Sequence, residues 1–380
     1  MRRVIAASAG LLTAGALGLG WVIARKLTAP VGPRTFDLTL RDVEVDGDRR
    51  LLVLDPSRAT TARGEYSLWF EAGEWVRVTD EVVDCGPEQV ARVVTDVVPD
   101  ALPSPGAHFS WSGIYFDSPA AAHLKVLDVA IDTPAGSAPA WLVDGADGSA
   151  TWGIHLHGMG SSRRGTLRGV QVTAELGYPS LVVSFRNDGE GPRTGTGRST
   201  LGYSEADDVE AAVGYAVEHG AERIVLFGWS MGAAIALRVA DRMRSSGVIA
   251  GLVLDSPVLS WIEVIKANCV RSGLPAVVGL LATPWLTVDP LAHMAGLPGG
   301  TPLREMDWID RAGELSVPTL ILHGSRDDST PIGVSETLRD RRHDLVDLVS
   351  FDAGHTLAWN SASERWRSTV SSWLSRRLAD

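Results

Sequence analysis

Three residue types drawn from separate stretches can together cleave an acyl bond: a serine held exposed on a sharp turn, a histidine to take its proton, and a carboxylate to orient the histidine. The serine here is Ser230. It lies in Gly228-Trp229-Ser230-Met231-Gly232, preceded by Ile224-Val225-Leu226-Phe227 and followed by Ala233-Ala234-Ile235-Ala236-Leu237. An apolar β run that passes through Gly-x-Ser-x-Gly into an Ala-rich helix is the setting of a nucleophile elbow. Small residues at 228 and 232 let the chain pass close to itself, and a helix opening at Met231 aims free N–H groups at an oxyanion forming beside Ser230.

The carboxylate and the base are sought downstream. Thr319-Leu320-Ile321-Leu322 reads as a strand running into His323-Gly324-Ser325-Arg326-Asp327. A carboxylate at a strand end can accept the Nδ1–H of a histidine and fix its tautomer, which selects Asp327. Asp328 would point elsewhere, and Asp255, also at a strand end, is the alternative. His355 follows the strand Leu348-Val349-Ser350-Phe351 with Gly354 freeing its loop, and it completes the chain order Ser, Asp, His. The second oxyanion donor has to come from a loop after an earlier strand. Trp152 to Leu156 runs into His157-Gly158-Met159-Gly160, so the amides of Met159 and Met231 are the expected pair.

Two other chemistries compete for that loop. A dinucleotide fingerprint opening at Gly158 would need its third glycine at position 163, where Arg163 stands, and no Gly-Lys-Ser/Thr follows. No cofactor is expected. His155 and His157 share a strand face, but no third ligand stands at a telling spacing, so no metal is expected and His157 is read as shaping the loop.

Around these residues the chain supplies alternating strands and helices. Val126 to Ile131 and Ala138 to Val143 read as a hairpin, a helix from about 164 to 176 closes on Gly177, and Leu181 to Phe185 is a buried-type strand. Ser204-Glu205-Ala206-Asp207 opens a helix as a variant capping box, and the chain closes on an amphipathic helix from about 362 to 378. Residues 258–316, rich in Trp, Pro, Gly and Leu without strand periodicity, read as a helical lid over the serine that holds the acyl or alcohol pocket. Residues 30–119 read as short hairpins, such as Val43 to Val45 with Leu51 to Leu54 and Tyr66 to Phe70 with Trp75 to Val78. They form an accessory β region of no assignable role.

Residues 1–29 hold an uncharged run from Val4 to Ala24 between Arg2-Arg3 and Arg25-Lys26. Its length suits a single membrane helix, with a cleaved signal peptide as the alternative. The basic flanks lean towards a cytoplasmic N-terminus and an extracytoplasmic catalytic part. The net charge of −11, from 35 basic and 46 acidic residues, disfavours a nucleic-acid partner. Cys85 and Cys269 show no metal-like spacing and are read as buried free thiols.

With the motifs in this order, residues 120–380 resemble the α/β-hydrolase superfamily, in particular serine hydrolases related to acyl esterases and prolyl oligopeptidase-like peptidases. The resemblance rests on His157-Gly158-Met159-Gly160, on Gly228-Trp229-Ser230-Met231-Gly232, on His323-Gly324-x-x-Asp327-x-x-Thr330-Pro331 and on Gly354-His355. It implies an α/β fold with a mostly parallel sheet of about eight strands and helices on both faces. The expected function is hydrolysis of carboxylic esters through a Ser230-His355-Asp327 triad and a covalent acyl-enzyme. Small amides or peptides are the alternative substrates, and a catalytically silent, membrane-tethered binding protein is the alternative from another class.

Overall fold

The two β-rich parts of the chain use the same period-two alternation to build different objects. The structure is a computed structural model that describes residues 2–98, 102–146 and 148–378. Strands β1 (Leu38–Asp46), β2 (Arg49–Leu54), β3 (Tyr66–Phe70), β4 (Trp75–Asp84), β5 (Val90–Val98) and β6 (His108–Ser112) close into an antiparallel barrel in the order β1-β2-β5-β4-β3-β6. The expected hairpins are thus members of a closed barrel, a form that leaves no free sheet edge. Leu40, Leu52, Leu54, Leu68, Val76, Val78 and Phe109 fill its interior. Arg92 is fully buried in it and donates to the carbonyls of Thr60, Ala62, Gly64 and Thr79, so one side chain fixes the 60–64 loop. Burial pushes its pKa down to about 10.

The second sheet holds β7 (Val126–Thr133), β8 (Gly136–Val143), β9 (Thr151–Leu156), β10 (Ser180–Val183), β11 (Arg223–Trp229), β12 (Ile249–Asp255), β13 (Thr319–Gly324) and β14 (Val346–Phe351). Its order is β14-β13-β12-β11-β9-β10-β8-β7. Strands from β14 to β10 run parallel, while β8 is antiparallel to both β10 and β7. The central strands are apolar on both faces because helices cover both. In β11, Ile224 and Leu226 join the core beneath helices Glu205–Glu218 and Met231–Arg242. Val225, Phe227 and Trp229 join the opposite core beneath Leu167–Glu175 and Ser363–Leu378. At Ser204 the expected side-chain cap is absent, and Glu205 instead folds back to accept from Ser199, Thr200 and Gly202.

Helix Arg2–Leu27 packs on the segment expected to be the lid, which contains helices Trp261–Arg271, Thr283–Thr287 and Asp289–Ala295. Ala24 and Thr28 are fully buried, and a Cβ at Gly20 would lie 2.1 Å from the Leu281 carbonyl oxygen. Trp21 Nε1 and Arg25 Nη1 each donate, at 3.1 Å, to the carbonyls of Met294 and Ala295. This corrects the expectation of a membrane-crossing helix at 1–29: among the described residues no helix is long and apolar enough to cross a membrane. With the helix from Gly20 onward packed on protein, the uncharged stretch from Val4 to Leu19 gives a length of about 24 Å against a hydrocarbon core of about 30 Å. The side chains of residues 1–14 lie outside the described residues.

Candidate active site

The turn at Ser230 is strained and its surroundings leave it no room to relax. Ser230 has φ 54° and ψ −114°, a left-handed backbone that a non-glycine residue holds only when its neighbours over-determine it. Here they do. A Cβ on Gly228 would lie 2.5 Å from Ala233 Cα, and one on Gly232 would lie 2.3 Å from the Leu156 carbonyl oxygen. The Ser230 N–H donates to the Asp255 carbonyl at 2.9 Å and its carbonyl accepts from Val258 N at 3.2 Å, tying the turn to the end of β12.

The fold brings the three expected side chains together. Ser230 Oγ lies 2.9 Å from His355 Nε2, and His355 Nδ1 lies 2.8 Å from Asp327 Oδ2. Facing a carboxylate, Nδ1 carries the proton, which leaves Nε2 free to accept the serine hydroxyl. Asp327 also accepts from the amides of Ser329 and Thr330 at 2.9 and 2.8 Å and from Thr330 Oγ1 at 2.8 Å. Burial alone would raise its pKa. The hydrogen bonds from His323, His355 and Thr330 overcome burial and hold the carboxyl well below the usual range, so it stays ionised.

Asp255, the other strand-end carboxylate, is placed differently. Its Oδ2 accepts from Trp366 Nε1 at 2.9 Å, its Oδ1 has no hydrogen-bond partner among the described residues, and burial raises its pKa to about 6. It is a buried group beneath the elbow and makes no hydrogen bond to His355 among the described residues. On the oxyanion side, the loop after β9 lies against the serine: a Cβ on Gly158 would sit 3.1 Å from Ser230 Cβ. That closeness sets Met159 beside Ser230, with Met231 opening the helix on the other side. His157 is buried and stacked on Phe185, its Nε2 3.0 Å from Asp188 Oδ2 and its Nδ1 donating to the Gly158 carbonyl at 2.9 Å. His155 is engaged separately, with Thr173, and burial lowers its pKa to about 3.

Several residues around the site carry no motif. Arg168 is buried beneath the serine turn, 4.5 Å from the Trp229 ring, and donates to the carbonyls of Gly165 and Thr356 and to Asn360 Oδ1. Burial pushes its pKa down to about 10. The sequence signal for it is a charged residue within a short helix whose Leu167, Val170, Val172 and Thr173 are all buried. Asn360 joins Arg168 to the barrel, its Nδ2 donating to the carbonyls of Glu65 at 2.6 Å and Gly113 at 3.1 Å. A cavity of about 340 Å³ opens over Ser230 and His355, with Trp111, Ile114, Met159 and Leu357 among its walls. None of its lining residues comes from 258–316.

With this geometry in place, the comparisons with known proteins bear on the whole domain. A sequence model of the Alpha/beta hydrolase family matches residues 154–374, more than half of the chain, and the chain belongs to that family and is a hydrolase. A second model, for a domain of unknown function (DUF8805), matches residues 40–112, which is the barrel. Among individual proteins, the uncharacterized protein YqkD of Bacillus subtilis is 25% identical over 225 residues, covering 58% of this chain and 70% of its own. The solved esterase Pf2001 of Pyrococcus furiosus superposes with a TM-score of 0.53 at 23% identity, covering 68% of this chain and 94% of its own. That likeness is one of fold.

Proposed function

We propose that this protein is a serine hydrolase that cleaves carboxylic esters through a covalent acyl-enzyme. Ser230 Oγ attacks the ester carbonyl carbon while His355 Nε2 takes its proton, and the carbonyl oxygen, now negative, faces the amides of Met159 and Met231. Collapse of that intermediate expels the alcohol, which receives the proton from His355, and leaves an acyl group on Ser230. Water then attacks the acyl-serine with His355 again as base, releasing the acid and restoring the serine. Asp327 remains ionised throughout, holding the tautomer of His355 and stabilising the imidazolium.

The observation that carries this reading is the relay of 2.9 Å from Ser230 to His355 and 2.8 Å from His355 to Asp327, at a strained elbow. The esterase whose fold matches supports esters as the substrate class. Its test is turnover of p-nitrophenyl esters by the parent and by Ser230→Ala. Loss of about 10³-fold or more supports the reading, and equal rates overturn it.

We also propose that the N-terminal helix attaches the enzyme to a membrane surface, with the catalytic part outside the cytoplasm. Support comes from the uncharged run Val4 to Ala24, within which Leu17, Leu19, Trp21 and Val22 are apolar and exposed. A periplasm-dependent reporter fused after Asp380 should be active; activity of a cytoplasm-only reporter there would contradict this.

A further inference from the structure

We propose that the barrel is the substrate-selecting wall of the active site, with Trp111 and Ile114 receiving the hydrocarbon arm of the ester; this inference rests on the esterase reading above. The cavity over Ser230 is walled on one side by residues that leave the barrel. Trp111 is in β6 and Ile114 lies two residues beyond its end. Together with Met159 and Leu357 they present apolar surface to the space in front of the serine hydroxyl.

Their position is fixed by contacts that tie the barrel to both catalytic loops. Gly113, between them, lies so close to the His355 loop that a Cβ there would be 2.5 Å from Leu357 Cδ2. Its carbonyl accepts from Asn360, whose own carbonyl accepts from Glu65 N at 2.8 Å. On the other flank, Arg58 reaches out of the barrel to donate to Asp328 and to the Arg326 carbonyl, each at 2.8 Å, beside Asp327. A domain held this way is part of the site's wall and does not hang beside it.

The space also has a second chamber. A groove of about 550 Å³ between residues 31–35, the barrel residues Ser110 and Ser112, and the oxyanion loop shares Ile114, Met159 and Ser161 with the cavity at Ser230. An arm that runs from the first cavity into this groove passes Ile114, Met159 and Ser161. Arg34, Asp188 and Glu190 around the groove mix both signs, giving no single charge for a substrate to answer, whereas Trp111, Ile114, Met159 and Leu357 give the cavity at Ser230 an apolar lining alongside His157, Ser161 and Arg168. The chemistry selected is an uncharged hydrocarbon arm, with Ile114 as its gauge. Trp111 packs against Tyr66 and Arg92 inside the barrel, so Ile114, outside the strands, is the cleaner position to vary.

The experiment compares kcat/KM for p-nitrophenyl octanoate and acetate in the full chain, in Ile114→Trp, in Ile114→Ala, and in Val277→Trp on the exposed surface of the 258–316 segment. The octanoate-to-acetate ratio should fall about tenfold or more in Ile114→Trp, rise in Ile114→Ala, and stay within about twofold in Val277→Trp. Two changes of opposite size protect the result against a folding defect in either. A ratio unchanged in both Ile114 variants, with Ser230→Ala inactive, overturns the inference while the esterase reading stands. A shift in Val277→Trp as large as that in Ile114→Trp overturns it in favour of the lid. If the folded parent neither turns over ester nor takes a fluorophosphonate, the esterase reading fails, and this inference falls with it.

Discussion

The barrel and the 258–316 segment flank the same hydrolase core, yet they are engaged in opposite ways. The barrel sends Trp111 and Ile114 into the cavity over Ser230 and is bolted, through Asn360 and Arg58, to the loops that carry His355 and Asp327. The 258–316 segment contributes nothing to the lining of that cavity and instead receives the N-terminal helix, with Trp21, Arg25 and Gly20 against Met294, Ala295 and Leu281. Sequence patterning alone casts 258–316 as the lid, because an inserted segment after a sheet strand can cover an active site, and gives the barrel no role. What decides is where each segment's exit residues fall relative to the serine.

The largest effect expected is on the chemistry both segments surround. Asp327→Asn should lower kcat by about 10³-fold or more, since His355 loses the partner that fixes its tautomer, and Asp255→Asn should lower it by less than about fivefold. Steady-state kinetics of the two variants side by side would settle which carboxylate serves; equal losses would break the assignment.

Next in size is the bolt between barrel and core. Asn360→Ala removes donors to Glu65 and Gly113 and the acceptor of Arg168. Losing buried hydrogen bonds of this kind costs about 1–3 kcal/mol each, so the melting temperature should fall by several degrees and kcat/KM for octanoate by about tenfold. A variant that melts lower but keeps its kcat/KM would show that the barrel's attachment is structural only.

Smaller again is a pH effect on stability. The raised pKa of Asp255, about 6, means that the fold favours its protonated form. The unfolded group titrates at about 3.9, so stability from this residue is full below that pH and is lost as pH rises through about 6. Asp327, held low, acts in the opposite sense: its contribution is present above the unfolded carboxylate range and is lost as pH falls through its depressed folded value. Melting curves from pH 4 to 8 should show that Asp255→Asn removes a decline that the parent shows between about 4 and 6.5; an unchanged slope would contradict this. The smallest effect on activity belongs to the other flank. Gly20→Val, which crowds the Leu281 carbonyl, should lower the melting temperature by a few degrees while leaving ester kcat/KM within about twofold.

Much of the fold was legible because the hydrolase sheet is built from long apolar runs punctuated by Gly, and because each site residue sits shortly after such a run. Ser230 follows β11 at once, and Asp327 and His355 come within four residues of the ends of β13 and β14, so local sequence places them near strand ends. The rest depends on contacts distant in sequence. Closure of six short strands into a barrel requires pairing β1 with β6 across about seventy residues, which no local pattern encodes. Asn360 lies in no motif, and its importance arises only where Gly64, Gly113 and Arg168 converge on it. The N-terminal run illustrates the opposite case: its apolarity was visible, but Gly20, Ala24 and Thr28 are buried against the protein itself, Gly20 on Leu281 and Thr28 beside Arg198.

The most direct test of the central claim is to treat the full chain with a fluorophosphonate and locate the adduct by peptide mass spectrometry. The expected result is a single adduct on Ser230, formed rapidly in the parent, slowly in His355→Ala, and not at all in Ser230→Ala. An adduct on another residue, or a folded parent that takes none, would contradict it.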